Sequence, residues 1–257
     1  MGLPVLLNPL MITYPGYTVG RSLRFRSSAT AYLNRTPAST TNQQKSTLSF
    51  WLKRGSLANT IEILNVRSGL SFPAFDIRIG DYLLITQYDN PPATLNCSVQ
   101  TPALFRDPSA WYHFVIAFDS TQATSTNRIK VYVNGVQQTL TFNTTPALNY
   151  NFAFNSTTPH VIGADAGNAI YLDGYLAEVN WIDGQQLTAS SFGTYDGNGI
   201  WQPVKYSGTY GTNGFYLPFS NTTSTTTLVQ DSSGNGNNWT PNNISLTAGT
   251  TYDSMLD

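Results

Sequence analysis

Alternation of apolar and polar residues is the strongest pattern along the chain. Within residues 47–53, the apolar side chains of Leu48, Phe50 and Leu52 fall on one face, and Ser49, Trp51 and Lys53 fall on the other. A period of two residues is typical of a β-strand that buries one face. The segment is therefore predicted to be a strand at the surface of a core.

A β-hairpin is predicted further along the chain. Residues 128–133 alternate cleanly and run into Asn134-Gly135. Both of these residues tolerate positive φ, and this dipeptide favours the type I′ turn that joins two antiparallel strands. The return strand is predicted at 136–142.

Residues 111–118 break the simple alternation, because they are apolar on both faces. Trp111, His113 and Val115 share one face, and Phe114 and Ile116 share the other. A strand with this pattern belongs at the centre of a sheet that is covered on both sides. We therefore expect a sandwich in which part of one outer face is also covered.

The remaining pattern predicts many short strands and almost no helix. The one helical candidate is 185–192, where Thr188 is placed to cap a turn, and the Ser/Thr-rich run 222–227 is predicted to be a loop. Turn signals recur about every 8–12 residues, which is typical of a sandwich or barrel. The fold class is therefore all-β. Further strands are predicted at 22–25, 31–34, 61–66, 75–79, 82–88, around 161–162, at 175–182 and at 214–219.

No linker or repeat divides the 257 residues, so a single domain is predicted. Its expected limits are 21–249. Residues 1–20 are expected to form an N-terminal extension or attachment arm. Residues 250–257 are expected to form a C-terminal tail without a packing role.

Charge is scarce along the chain. Charged residues make up 11% of the sequence and the net charge is −1, whereas soluble domains usually carry more than twice that share. Such a chain has no positive field to attract nucleic acid or anionic lipid, and no apolar run is long enough to cross a bilayer. We expect neither a nucleic-acid partner nor membrane insertion.

The only cysteine is Cys97, which excludes an intrachain disulfide and is expected to be a buried apolar residue. Residues 1–7 lack the basic region of an export signal. A surface rich in Ser, Thr and Asn without an export signal is consistent with a protein that leaves its cell by lysis, as part of a virus particle.

The order of these signals resembles the laminin-G-like, concanavalin-type jelly rolls. That resemblance implies a lectin-like sandwich of two antiparallel sheets. It rests on 46–53 (STLSFWLK), 111–118 (WYHFVIAF) with 128–135 (RIKVYVNG), 172–179 (LDGYLAEV) and 231–237 (DSSGNGN).

A narrower resemblance is to domains of tail-fibre and capsid-associated proteins of tailed bacteriophages. It implies a virion protein with other virion proteins as partners, located in a tail fibre or on the capsid surface. Fibre proteins are often trimeric and sheet edges need cover, so a homo-oligomer, with a trimer as one form, is expected. The stretches that carry this resemblance are 22–25 (SLRF), 32–37 (YLNRTP), 206–217 (YSGTYGTNGFYL) and 242–245 (NNIS).

Catalytic chemistry is poorly represented. His113 lies in the apolar strand and is expected to be a hydrogen-bonded core residue, and His160 is expected in a loop. The related glycosidases need two carboxylates across the scissile bond, but Glu62 and Glu178 are the only glutamates and neither has a neighbouring carboxylate in sequence. The chain is predicted not to be an enzyme, with a polysaccharide-degrading glycosidase as the less favoured alternative.

Two kinds of binding site are hypothesised. Aromatic residues in loop-like contexts could stack on sugar rings, and for these the candidates are Tyr195, Trp201, Tyr210 and Trp239, whereas Trp51, Trp111 and Trp181 are expected to pack. Relatives of the fold often bind calcium through carboxylate and amide oxygens. The Asp and Asn residues that could do so here fit plain turn chemistry equally well. No other cofactor is expected. The calcium candidates are Asp165, Asn168, Asp173 and Asp231, together with Asn235 and Asn237.

Two functions remain open at this point. The first is a fibre protein that adheres to glycans, including host surface polysaccharide. The second is a purely structural part that decorates the capsid or joins tail components. A near-neutral surface rich in Tyr, Asn and Thr suits both sugars and protein partners.

Overall fold

The computed structural model describes residues 17–67, 73–89, 94–165, 167 and 169–256. It is built almost entirely from strands. The strands are β1 (Arg21–Phe25), β2 (Tyr32–Arg35), β3 (Lys45–Arg54), β4 (Ile61–Arg67), β5 (Pro73–Ile79), β6 (Leu83–Asp89), β7 (Thr94–Gln100), β8 (Tyr112–Asp119), β9 (Ile129–Val133), β10 (Val136–Gln137), β11 (Thr141–Thr144), β12 (His160–Ile162), β13 (Gly174–Asp183), β14 (Gly193–Tyr195), β15 (Trp201–Pro203), β16 (Phe215–Leu217), β17 (Thr240–Asn242) and β18 (Ser254–Leu256).

The strands form two large antiparallel sheets, as the pattern predicted. Sheet A has the order β10-β9-β8-β3-β13-β1-β18, with β16 also paired to β13. Sheet B has the order β11-β7-β6-β5-β4-β12-β2-β17. The ribbon β14-β15 stands apart from both sheets.

The core lies between the inner faces of the two sheets. Phe75 of sheet B meets Phe118 of sheet A edge to face, with ring centroids 5.6 Å apart. Phe152 and Phe154, from the connection between β11 and β12 of sheet B, complete this group. Aromatic rings in such contacts contribute about 0.5–1.5 kcal/mol per pair beyond their buried area. The sandwich therefore has no need of disulfides, and Cys97 is buried as expected.

The Asn134-Gly135 turn is present, but the return strand is shorter than predicted. Both turn residues have positive φ, as a type I′ turn requires. β10 covers only residues 136–137, and residues 141–144 form β11 in sheet B. The prediction of one strand over 136–142 is wrong because the chain crosses from one sheet to the other at 138–140.

Helices are few, as expected. Residues 189–191 form one 3₁₀ turn with Thr188 at its N-cap, although the Thr188 hydroxyl bonds to Ser190 and not to the backbone. The 222–227 run, predicted to be a loop, ends in a short helix, α1 (Thr225–Leu228), which starts with a capping box between Ser224 and Thr227. None of the helices in the described part of the chain is long and apolar enough to cross a membrane.

The C-terminal segment, predicted to be a tail, contributes β18 to the edge of sheet A. Asp253 anchors it, with a fully buried side chain. Its carboxylate contacts Arg24 at 3.2 Å and Arg26 at 2.7 Å. These partners lie more than 200 residues away, so the local sequence gives no sign of the pairing. Of the predicted N-terminal arm, residues 1–16 lie outside the described residues, as does residue 257 at the end of the predicted tail.

A β-bulge interrupts β13 at Glu178. Ala177 pairs with Trp51 and Asn180 pairs with Ser49, so β13 has one residue more than β3 over this stretch. Glu178 has a φ of 52°, unusual for a residue other than glycine. Bulges of this kind redirect side chains. Here the glutamate is placed on the outer side of sheet A.

The outer face of sheet A is partly covered by the segment 187–210, which includes β14 and β15. Val115, on the outer side of β8, packs there with Ile182, Ala189 and Phe192. This confirms the expectation that residues 111–118 form a strand covered on both sides.

Sheet B carries a buried polar cluster on β4 and β5. Glu62 and Asp76 are each 1% exposed, and Asn65 lies directly opposite Asp76 in the pairing of the strands. Burial raises the pKa of Asp76 to about 6, although Arg78 opposes the rise. Burial and the charge of Asp76 raise the pKa of Glu62 well above its usual range. Glu62 Oε1 has no hydrogen-bond partner, so the cluster favours a protonated glutamate.

Replacing Glu62 with glutamine tests this conclusion. A raised pKa means that the folded state holds a proton that the unfolded chain releases at lower pH. The stability from that proton is complete below the ordinary pKa of glutamate and is lost as the pH rises through the raised value. Glu62→Gln should therefore gain stability over the parent as the pH rises from about 5 to about 9, measured by urea unfolding.

The control for this series is Asp107→Asn. Asp107 is exposed and Ser109 lowers its pKa, so it is ionised in both states over the same pH range. Burial lowers the pKa of His113 and of His160, but both residues are unchanged between parent and variant and cancel from the comparison. A stability difference between Glu62→Gln and the parent that does not change with pH would contradict a protonated Glu62.

Candidate functional site

An aromatic groove lies on the outer face of sheet A, beside the segment 187–210. Its cavity is about 330 Å³, near the lower end of the usual range for small-molecule sites. Three tryptophans, Trp51, Trp111 and Trp201, line it. We call the cavity lined by Trp51, Trp111 and Trp201 the tryptophan groove.

Trp51 reaches the groove because of its position on β3. Leu48, Phe50 and Leu52 face the core, so the alternation of the strand turns Trp51 outward. Its ring stacks on that of His113, the residue opposite it on β8, with centroids 4.8 Å apart. Trp51 is only half-buried, which leaves part of its ring for a ligand.

Trp201 is held over sheet A by the β14-β15 ribbon. Its indole Nε1–H donates to His113 Nδ1 at 2.9 Å, and Tyr195 packs edge-on against it at 4.9 Å between ring centroids. Gly193 and Gly135 both lie directly against the indole, so a Cβ atom at either position would collide with it. The ring is therefore fixed before any ligand arrives.

His113 connects the two sides of the groove. An indole N–H can only donate, so the bond from Trp201 makes Nδ1 an acceptor and puts the proton of the neutral imidazole on Nε2. Nε2 then donates to Ser49 Oγ at 2.9 Å. Burial lowers the pKa of His113 to about 3, so the ring stays neutral and contributes no charge to the groove.

The chain before β1 completes the groove. Thr18 and Val19 line it, and Ala177 of β13 also contributes. Tyr17 hydroxyl donates to Glu178 Oε2 at 2.9 Å, and Tyr216 donates to the same oxygen at 2.7 Å. Burial raises the pKa of Glu178 and raises that of Tyr17 to about 12. These hydrogen bonds hold residues 17–19 against sheet A.

The groove combines flat apolar faces with a few neutral polar groups. Thr18 and Gln202 are the polar side chains in its lining. Aromatic faces suit the C–H surface of a sugar ring, and hydroxyl and amide groups suit its hydroxyls. Among the described residues that line the groove, none carries a charge. Such an arrangement offers ring stacking and neutral hydrogen bonds to a ligand.

The family model for the concanavalin A-like lectin/glucanases superfamily, Laminin_G_3, matches residues 27–191, well over half of the chain. The chain belongs to the concanavalin A-like lectin/glucanases superfamily. This confirms the resemblance to laminin-G-like and concanavalin-type jelly rolls. No significant sequence match exists among curated proteins.

Three similar solved structures are each remote in sequence from this superfamily member. They include a heptameric SAP-like pentraxin of Limulus polyphemus (16% identity, 67% of this chain and 80% of that one, TM-score 0.47). The CBM40 of a Ruminococcus gnavus IT-sialidase bound to α2,3 sialyllactose is another (13%, 68% and 92%, 0.43). Domains LG4-5 of the mouse laminin α1 chain are a third (14%, 76% and 47%, 0.42). These likenesses are too distant to indicate a ligand.

The four aromatic residues proposed from sequence do not form one site. Trp201 lines the tryptophan groove, and Tyr195, 50% exposed, packs on it. Tyr210 is half-buried under the segment 187–210, where its hydroxyl donates to Asn180 Oδ1 at 2.9 Å. Trp239, placed in a loop by its sequence context, is 2% exposed and packs edge-on against Phe215. Its faces are in the core and not available to a sugar.

Sequence reasoning did not place Trp51 and Trp111 in the groove, because both were expected only to pack. A signal for Trp51 was present, since a large ring stood on the polar face of an alternating strand between Ser49 and Lys53. His113 is buried and hydrogen-bonded as expected, but its role beneath Trp201 depends on a residue 88 positions away. His160, expected in a loop, is buried at the start of β12 and bonds locally to Thr158 and Asn155.

The superfamily includes glucanases, and glycoside hydrolysis usually depends on a pair of carboxyl groups. Hydrolysis requires two carboxyl groups about 5–9.5 Å apart on either side of a bound sugar. Glu178 is 6% exposed, and the hydroxyls of Tyr17 and Tyr216 both donate to its Oε2. Glu62 and Asp76 do form a pair, but both are buried on sheet B, where a substrate does not reach them.

The calcium candidates are mostly occupied within their own loops. The Asp231 carboxylate accepts hydrogen bonds from the backbone of Tyr216, Ser233 and Asn237 and from the Ser233 hydroxyl. The side-chain amides of Asn235 and Asn237 both donate to Gly214 O. These bonds are the turn chemistry that the alternative reading of the loop implied.

The second group of candidates is only partly described. Asp165 Oδ1 accepts from two backbone N–H groups, at Ala169 and Ile170. Asp173 is half-buried, and Asn168 lies outside the described residues. Within the described ranges, no three His, Cys, Asp or Glu side chains come together in a way that could hold a metal ion.

Substitution of His113 tests how Trp201 is held. His113→Phe keeps a ring beneath the indole but leaves its N–H without an acceptor, which costs about 1–3 kcal/mol. His113→Asn places a carbonyl oxygen near the position of Nδ1 and should recover part of that loss. Urea unfolding and the indole ¹H–¹⁵N signal of Trp201 provide the measurements. A His113→Phe protein that matches the parent in both would show that the hydrogen bond does not position Trp201.

Proposed function

We propose that this chain is a glycan-binding domain and that the tryptophan groove is its binding site. The observation that carries the proposal is the presence of three tryptophan rings around one open cavity. Leaving aromatic surface exposed to water is costly. A well-formed apolar cavity with a few polar groups is the default hypothesis for a binding site. The superfamily match is consistent with this proposal, because its description includes lectins.

The groove is suited to weak, reversible binding. Trp201 is held by a hydrogen bond, by two glycine contacts and by Tyr195, so little side-chain freedom is lost when a ligand arrives. Preorganisation of this kind improves affinity by lowering the entropy that binding costs. Individual ring contacts are worth about 0.5–1.5 kcal/mol, so removal of one tryptophan should weaken binding without abolishing folding.

We also propose that binding is not followed by hydrolysis. Glu178 is 6% exposed, and two tyrosine hydroxyls bond its Oε2. The buried pair of Glu62 and Asp76 lies on the other sheet. Both facts support a binding role over a glucanase role.

The parent particle is proposed to be a tailed bacteriophage, with this domain in a tail or head fibre that adheres to host surface glycan. The proposal rests on the sequence resemblance and on the low charge of the chain. A homo-oligomer, with a trimer as one form, is part of the same proposal, because β18 and β10 are edge strands with exposed Leu256 and Val136. The structural alternative is a capsid decoration or tail-joint protein.

Removing Trp201 or Trp51 tests the glycan site. Trp201→Ala and Trp51→Ala should each weaken binding of a glycan found by array screening by about tenfold, measured by isothermal titration calorimetry. The matched control is Tyr82→Ala, which removes an exposed ring from the loop between β5 and β6. Equal losses in all three variants would argue against the groove. Release of reducing ends from the bound glycan by the parent protein would argue against a purely binding role.

Immunogold electron microscopy of the proposed phage particle tests the location. Label at fibre tips is the expected result and would support adhesion. Label spread over the capsid or at a tail joint would favour the structural alternative. Particles of the candidate phage that carry no label would refute the virion assignment and leave the glycan site unaffected.

A further inference from the structure

We infer that the tryptophan groove selects uncharged pyranosides and rejects glycans that carry carboxylate or sulfate groups, an inference that rests on the proposed function. The ligand class follows from the charges in and around the groove. The contacts that matter are those of the lining, of Glu178 and of the lysines on the same side of sheet A.

The lining offers only neutral partners to a ligand. Its polar side chains are Thr18 and Gln202, and the amide nitrogen of Gln202 is directed to Asp196 at 3.3 Å. The remaining Gln202 oxygen is a hydrogen-bond acceptor. A hydroxyl, an amide oxygen and indole N–H groups match the hydroxyls of a neutral sugar, and none of the described side chains in the lining is a cation that could pair with an anion. His113, the titratable group beneath the rings, is neutral.

A negative charge stands next to the groove. Glu178 follows Ala177, which is part of the lining, and the bulge places its carboxylate on the outer side of sheet A. Within the described part of the chain, no Lys or Arg forms a salt bridge with it, and its partners are the hydroxyls of Tyr17 and Tyr216. Like charges in a partly desolvated site repel more strongly than in water. An acidic sugar would meet this repulsion.

Two lysines lie near Trp51 and Glu178. Lys53 follows Trp51 on the same face of β3, and Lys205 interacts with Glu178 through space. Neither is part of the lining. A carboxylate seated among the tryptophans would therefore lose water without gaining a charged partner, which is unfavourable. Neutral sugars do not incur this loss.

A glycan array with two sets of probes tests the inference. The neutral set contains gluco-, manno- and galacto-oligosaccharides, and the acidic set contains oligogalacturonides, sialylated oligosaccharides and sulfated oligosaccharides. Neutral probes should bind, and acidic probes should bind at least about tenfold more weakly. The affinity for the best neutral probe should change less than about twofold between about 50 and 500 mM sodium chloride, because no ion pair is made.

The Glu178→Gln variant sharpens the test, since it keeps the shape and hydrogen bonding of the side chain and removes its charge. Because Glu178 also helps to hold residues 17–19 against sheet A, the readout is the ratio of neutral to acidic affinity within the variant, which should fall toward one relative to the parent. Preferred binding of acidic probes, weakened by salt and by Lys53→Ala or Lys205→Ala, would overturn the inference and leave the proposed glycan site standing. Failure of every probe, neutral and acidic, would instead contradict the proposed function itself.

Discussion

Strand β8 is apolar on both of its faces, and this constraint shapes the rest of the molecule. Phe114, Ile116 and Phe118 fill the core between the two sheets, while Val115 lies on the opposite side. An outer face of this kind would be costly to leave in water. The segment 187–210 covers it and brings the β14-β15 ribbon with it.

The tryptophan groove forms because the segment 187–210 covers only part of the outer face of sheet A. The ribbon reaches across β8 far enough for Trp201 to bond to His113, but Trp51 and Trp111 beside it remain only partly covered. Residues 17–19 close the other side through Tyr17 and Glu178. The packing of sheet A and the position of the candidate site therefore depend on the same contacts. A substitution that weakens one of them should also weaken the other.

Much of the fold could be predicted from sequence, because strand alternation and turn residues act locally. Residues 47–53 and 111–118 were predicted as strands, and the Asn134-Gly135 turn forms as expected. The path beyond residue 137 could not be predicted, since a switch between sheets leaves the alternation unchanged. Asp253 likewise shows its role only when Arg24 and Arg26 are brought to it from the other end of the chain.

The candidate site was harder to predict than the fold, because its residues also come together only when the chain folds. Trp201 was identified by its loop-like context, but the groove joins it to Thr18, Trp51 and Trp111, which are far apart in sequence. Trp239 shared that loop-like context and is a core residue. The sequence shows which aromatic rings the chain contains. Which of these rings are available to a ligand depends on which faces of the two sheets remain uncovered in the fold.

The indole ¹H–¹⁵N signals of the five tryptophans, followed while a bound glycan is titrated in, provide the most direct measurement. The account predicts that the signals of Trp51, Trp111 and Trp201 shift together and saturate with one affinity. Those of Trp181 and Trp239, which are 3% and 2% exposed, should stay in place. Saturable binding that leaves the three groove signals unmoved would contradict the account.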